Sequence, residues 1–424
     1  MPIAVDTLST DIGPGEMTGE QLALPTSGRV TAHTRYGDIK GGRVKNGCQV
    51  FLNVPYGVNV PRWTDPQPLP DDYQYPHNEY TVDGLYCAQP DRPYTLQRFL
   101  GSQSPKVEGN FGFKDCWQGL QWVKENIASF GGDPDQIHLS GLSGGAHLVH
   151  QLLHQAARLA PQPSPFVTAL LQSNAILTNP LAPSTRDEQF QAFCEQLRID
   201  HTLPDILEQL RDTTKFPTQA VISAVQSMGN LCTFRGVIGT DGWNRADEME
   251  YQQSGRMAAD LKSAGVRCVI MGDVRDEDFF YSYVHPCQGP SDILPNLERY
   301  YPAEQSKRLL AAYPALAVDA SPAECDRLQG RILADGQVHL PARLLAKDLV
   351  AGGMPVVRYA VEFVAEKLNS NALENAIGPA VRMDGTFVQR GEEEMLALNK
   401  DGSTAWKSDW RWPLLRAAEK AVRG

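Results

Sequence analysis

The sequence has no apolar run of about 18 residues, the minimum for a helix that crosses a bilayer, so no membrane span is expected. Nor does it have a run of Lys or Arg longer than two; its 39 basic residues face 50 acidic ones, for a net charge of −11. Phosphate backbones and anionic lipid repel such a chain, which removes nucleic acid and membranes from the expected partners. The eight cysteines form no C-x-x-C pair, and no Asn-x-Ser/Thr acceptor occurs. The first segment, "MPIAVDTLSTDIGPGEM", lacks both a basic and a long apolar region of the secretory kind. These absences lead to the expectation of reduced thiols and a cytoplasmic location. There is no metal-ligand cluster and no phosphate-cradling glycine loop, so no metal and no other cofactor is expected.

Residues 1–28, rich in Gly, Pro and Thr, read as a mobile leader, and the ordered chain is expected to start near Arg29. Alternation with glycine breaks in "RVTAHTRYGDIKGGRVKNGCQVFLNVPYG" predicts short antiparallel strands, whereas eight prolines make 61–110 irregular. Strand and helix alternate after that: a helix in 115–128, a strand at 136–140, a helix from Ser143, a strand around 166–172, a buried strand at 266–273, a helix at 340–351 and a strand in "PVVRYAVEF". Such an order specifies βαβ units and a mostly parallel sheet. Polar helical stretches around 184–232 and 293–335 read as cap insertions into a single α/β domain spanning 29–424.

The stretch "IHLSGLSGGAHLVHQLL", residues 137–153, carries the chemistry. A strand ends in Gly141-Leu142-Ser143-Gly144-Gly145 and a helix follows at once. G-x-S-x-G in that context holds a serine at the apex of a sharp turn, above the sheet and at a helix N-terminus that favours a developing oxyanion. A serine nucleophile also needs a base and an acid to orient it. "CVIMGDVRDEDFFYSYV" places Asp273, Asp276, Glu277 and Asp278 directly after a buried strand, where sheet enzymes keep their functional loops.

With these residues on view, the sequence resembles the type-B carboxylesterase family, which includes the cholinesterases. "GNFGFKDCWQGLQWVKENIASFGGDPDQIHLSGLSGGA", residues 109–146, is similar to the family run G-N-x-G-x-x-D-Q-x-x-A-L-x-W-V-x-x-N-I-x-x-F-G-G-D-P followed by G-E-S-A-G. "FLNVPYG…PRW…PQPLP", Cys87-Ala88-Gln89, "GTDGW" at 239–243 and "MGDVRDEDFF" resemble further motifs of it. The resemblance implies an α/β-hydrolase fold, Ser143 as nucleophile, Glu277 as triad acid and the Gly144 amide as an oxyanion donor.

Three departures accompany the resemblance. Val381 stands where the family has its histidine, and no histidine follows His339. The block that in the family carries a partner cysteine, an H-G-G-G oxyanion loop and several sheet strands is reduced to residues 90–108, either by a real deletion or by a skipped exon in the gene reading. A real deletion leaves the elbow strand with a repaired or exposed edge. Leu142 replaces the family glutamate beside the nucleophile, which disfavours a cationic substrate. Among the remaining histidines, His147, His150 and His154 fall on the helix behind the elbow and read as packing residues, His285 lies eight residues after Glu277, and His339 is the candidate base. The first reading is a hydrolase of a small neutral ester or lactone, in the manner of fungal-type intracellular relatives and with a place in secondary metabolism. The others are a lyase, cyclase or isomerase on the same scaffold, and a catalytically dead binding protein.

Overall fold

The computed structural model describes residues 28–43, 47–82, 100–361, 394–398 and 404–423. Most of the leader, Cys87 and Val381 lie outside the described residues. Near the start, strands Val30–Thr34, Gly37–Arg43 and Gln49–Val50 form a small antiparallel sheet around Ala32 and Ile39, as the alternation predicts.

The central sheet has six strands in the order Thr404–Ser408, Glu394–Leu398, Val356–Val361, Cys268–Val274, Thr168–Gln172, His138–Leu142. The pairings are parallel except the one between Glu394–Leu398 and Thr404–Ser408. Sequence periodicity places the elbow strand two residues early, at 136–140 instead of His138–Leu142. Register aligns Leu142 with Gln172 and Gln172 with Gly272, so three strands end level with one another. Functional loops therefore gather along one edge.

The two faces of this sheet differ. On one, Ala169, Leu171, Val269 and Met271 pack against three helices, Gly144–Arg158, Arg256–Ser263 and Leu340–Ala351. The helix after the elbow buries Ala146, Val149, Leu152, Leu153, Ala156 and Ala157, an i, i+3, i+4 stripe. Each of its leucines contributes roughly 2 kcal/mol through removal from water. On the opposite face, alternation points His138, Ser140 and Leu142 outward, and all three are exposed. The elbow strand is also the last of the sheet: among the described residues, no strand pairs with its outer edge.

Two further helical regions pack around cores of their own. One comprises Pro183–Gln196, Ile206–Arg211 and Thr218–Gln226 around Phe190, Phe193 and Phe234. The other comprises Ile293–Glu298, Ala303–Ala311 and Pro322–Ala334 around Tyr281, Tyr301 and Trp412. Ser321 opens Pro322–Ala334 with a reciprocal capping box to Glu324. Two quoted motifs meet in space: the Asn110 amide of G-N-x-G donates to Val237 O at 2.9 Å, accepts from Val237 N at 3.0 Å and accepts from Asn244, just beyond GTDGW, at 2.8 Å. That clasp ties the start of helix Phe111–Asn126 to the chain at 237–244.

Candidate active site

Ser143 has φ 54° and ψ −119°, a region L-residues avoid, at the junction of strand His138–Leu142 and helix Gly144–Arg158. The strain is held by the glycines on either side. A Cβ on Gly141 would run into the carbonyl of Gly145, so the turn can be this tight only with glycine at 141. The Ser143 amide donates to Gln172 O at 2.8 Å and its carbonyl accepts from Ala146 N and His147 N, which fixes the backbone from both sides. Its side chain is exposed, and no described residue hydrogen-bonds the hydroxyl. Gly144 follows at the first helical position, where an amide has no partner within the helix.

Glu277 opens helix Glu277–Val284 and is buried. Its Oε1 accepts from Val274 N at 3.0 Å, closing its own loop. His339 lies in a π-helical turn, Asp335–His339, that joins Pro322–Ala334 to Leu340–Ala351. Such wide turns recur at functional sites. The turn is pinned to the sheet by Ala175 N donating to Gln337 O at 3.4 Å. From it, His339 Nδ1 reaches Asp273 Oδ2 at 3.1 Å. The structure thus brings His339 together with Asp273 at the end of strand Cys268–Val274, and leaves Glu277 occupied with backbone.

Asp273 is wholly buried and also accepts from Arg343 Nη1 at 2.7 Å. Burial pushes its carboxyl up, but Arg343 and His339 outweigh burial and hold it well below the usual carboxylate range. An ionised Asp273 assigns the proton of the pair to His339 Nδ1 and leaves Nε2 as the acceptor. Arg343 in turn bonds Asp409, which Arg358 also reaches at 2.7 Å, so the pair rests on a buried ionic lattice. Because neighbouring strands lie about 4.8 Å apart, the ends carrying Ser143 and Asp273 are separated by roughly 10 Å.

Tyr359 sits over Gly272, where a Cβ would fall inside its ring, and bonds Gln172, whose carbonyl holds the Ser143 amide. Burial raises its phenol above the ordinary value, so it is a donor at neutral pH. His150 is locked: Nδ1 accepts from Ile176 N and Nε2 faces Gln252 Oε1, both at 2.9 Å. His154 lies 2.8 Å from Glu248 on the same buried side of the elbow helix. His285 bonds Tyr300 at 2.7 Å. Burial, with Arg235 adding to it, lowers His147 to about 4.

Sequence reasoning missed Tyr359 and Arg235. Tyr359 had a signal, its alternation with Val357 in a strand beside the acid strand. Arg235 had none, since nothing in "CTFRGVIG" marks that arginine.

Comparison with known proteins gives the family and the fold. The model of the carboxylesterase family matches residues 95–372. An uncharacterized esterase/lipase of Schizosaccharomyces pombe is 29% identical over 274 residues, 62% of this chain and 49% of that protein. A carboxylic ester hydrolase of Gibberella moniliformis is 27% identical over 287 residues, 63% and 51% of the two chains. The chain spans about half the length of these curated relatives. In fold it is similar to PNB esterase, with a TM-score of 0.68 at 17% identity over 92% of this chain and 99% of that one. It is equally similar to the Geobacillus stearothermophilus carboxylesterase EST55, with 0.68 at 19% identity over 93% and 100%. The mostly parallel sheet is therefore an α/β-hydrolase sheet, as the motifs imply.

Proposed function

Because this chain belongs to the carboxylesterase family, we propose that it hydrolyses a small ester or lactone through an acyl-enzyme on Ser143. The observation that carries this reading is the strained, exposed conformation of Ser143 on an intact glycine elbow. A positive φ on a serine persists only where surrounding structure enforces it, and it aims the hydroxyl away from the sheet. In this reading residues 29–424 act as one domain, and the helical regions around 184–232 and 293–335 roof the elbow.

The base is His339, oriented by Asp273. Nδ1–H donates to the carboxylate and Nε2 takes the serine proton as Oγ attacks the ester carbonyl. The same nitrogen then returns the proton to the departing alcohol, and water repeats the sequence on the acyl-enzyme. The Gly144 amide stabilises the tetrahedral oxyanion. Glu277 keeps the Val274 loop in place beneath this pair. With an H-G-G-G loop absent from the sequence, one amide carries what several carry in the family, a loss of about 10² to 10³ in rate per missing donor. Slow turnover follows, on an accessible rather than enclosed site.

A fluorophosphonate, which reports activated serines, tests the reading. Intact mass should show one adduct on the full chain and none on Ser143→Ala. A folded wild type that stays unmodified ends the acyl-enzyme reading and leaves the elbow as architecture around a binding site.

A further inference from the structure

Arg235 is a part-buried guanidinium with no carboxylate bonded to it among the described residues. One nitrogen donates to the Tyr300 carbonyl, and Nε is buried without any partner. The titratable groups facing it are the His147 ring and the Tyr301 phenol. A cation removed from water without a counter-charge is unfavourable by several kcal/mol, and proteins keep such groups where something else supplies the anion.

Its place explains what that anion is. His147 lies in the first turn of the helix that Ser143 caps. In helices the longer side chain leans back toward the N-terminus, here toward Ser143. Arg235 therefore lies along the elbow helix, next to Gly236, whose added Cβ would meet Gln151 one turn beyond His147, on chain held against Leu181 by Leu181 N donating to Gly236 O at 2.8 Å. Tyr301 bonds Gln337, two residues before His339 in the π turn, so the guanidinium stands between the nucleophile helix and the proposed base. Asn174, just past the end of strand Thr168–Gln172, offers a second buried polar atom with no partner, its Oδ1. Burial brings the guanidinium down to about 10, which leaves it charged at neutral pH.

We propose that Arg235 holds an ionised carboxylate of the ligand, so that the substrate is a small ester or lactone that also carries a free acid group. This deepens the hydrolase reading, on which its kinetic half rests, and puts an anionic substrate in place of the neutral one expected from sequence. It agrees with Leu142, whose presence removes a negative charge that would have repelled such a ligand.

Two measurements on the full chain separate the inference from the hydrolase reading. Calorimetric titration uses glutarate against its neutral diamide, glutaramide. Wild type should bind glutarate at least tenfold tighter than glutaramide, and the difference should vanish in Arg235→Gln but survive in Arg235→Lys, which keeps the charge. Kinetics compare the monophenyl ester of glutaric acid with phenyl pentanoate. The ratio of kcat/KM, acid over neutral, should be about 10 to 100 in wild type, the range of one charge-assisted contact, and about one in Arg235→Gln. Glutarate bound through Arg235 with neither ester turned over supports the inference and sinks the hydrolase reading. Phenyl pentanoate hydrolysed with no preference for the acid ester and no glutarate binding overturns the inference alone. Equal losses on both esters in Arg235→Gln also overturn it, because the arginine then acts on the reacting carbonyl.

Discussion

His339 and Asp273 are paired at 3.1 Å across 66 residues of chain, while Glu277, four residues from Asp273, turns back to the Val274 amide. Two adjacent acids thus have separate tasks. His339→Gln is expected to slow fluorophosphonate labelling of Ser143 by about 10³ to 10⁴, the scale of a lost triad member. Glu277→Gln should slow it by far less. Stopped-flow labelling of both variants decides, and a larger loss in Glu277→Gln would return the acid role to that residue.

Asp273→Asn removes the carboxylate that His339 hydrogen-bonds and that pairs with Arg343. Breaking a buried pair from one side typically destabilises by about 3–5 kcal/mol. Urea unfolding should show a loss of about 3 kcal/mol, with Asp409 retaining part of Arg343. A variant as stable as wild type would mean the lattice contributes little.

Gly141→Ala places a methyl against the Gly145 carbonyl. Overpacking of this kind costs about 1–3 kcal/mol, and the turn can relax only by moving Ser143. Labelling should fall at least tenfold while far-UV circular dichroism stays unchanged. Gly145→Ala, where a Cβ meets nothing within 4 Å, is the control and should label normally.

Burial lowers two histidines to about 4, His147 with a further push from Arg235 and His285 with one from Arg299. Unfolded, each returns to about 6.5. Between those values the unfolded chain binds more protons, so folding stability rises with pH across the window. It is complete above pH 6.5 and lost as pH falls to 4, by about 2 kcal/mol per histidine after allowance for the partial exposure of His147. Urea midpoints at pH 7 and pH 5 should differ accordingly, and His285→Gln should flatten the dependence.

Among the described residues no strand pairs with the outer edge of the elbow strand, and His138, Ser140 and Leu142 are exposed on one of its faces. Proteins ordinarily guard such edges with charge. Light scattering should find concentration-dependent association in wild type, reduced in Ser140→Lys. Equal association in the two would place the contact elsewhere.

The sheet was legible because its strands are short, apolar and bounded by Gly or Pro, with the elbow pentapeptide marking where strand becomes helix. The helix at 340–351 is found at Leu340–Ala351. Its neighbour is the instructive failure. A π turn has no periodic signature, so nothing in "DGQVHLPARLLA" showed that His339 would leave the regular helix and reach a strand end. Asp273 could have been separated from Glu277: it continues the 269, 271, 273 alternation of a strand whose apolar members face the helices, toward Arg343. The final helix, Trp412–Arg423, was missed although its apolar residues gather on one face, with Trp412, Leu415 and Ala418 buried at i, i+3 spacing.

The six strands are hydrogen-bonded in the order in which they occur along the chain. During synthesis, each strand that emerges finds its docking edge already formed by its immediate predecessor, with nothing to displace and no gap to hold open. The elbow lies on the first of these six described strands, so the backbone that holds Ser143, closed by the Gln172 carbonyl, is complete before Asp273 and His339 have been translated. The turn is thus built from neighbouring stretches of sequence, while the Asp273–His339 pair is added later from two more distant ones.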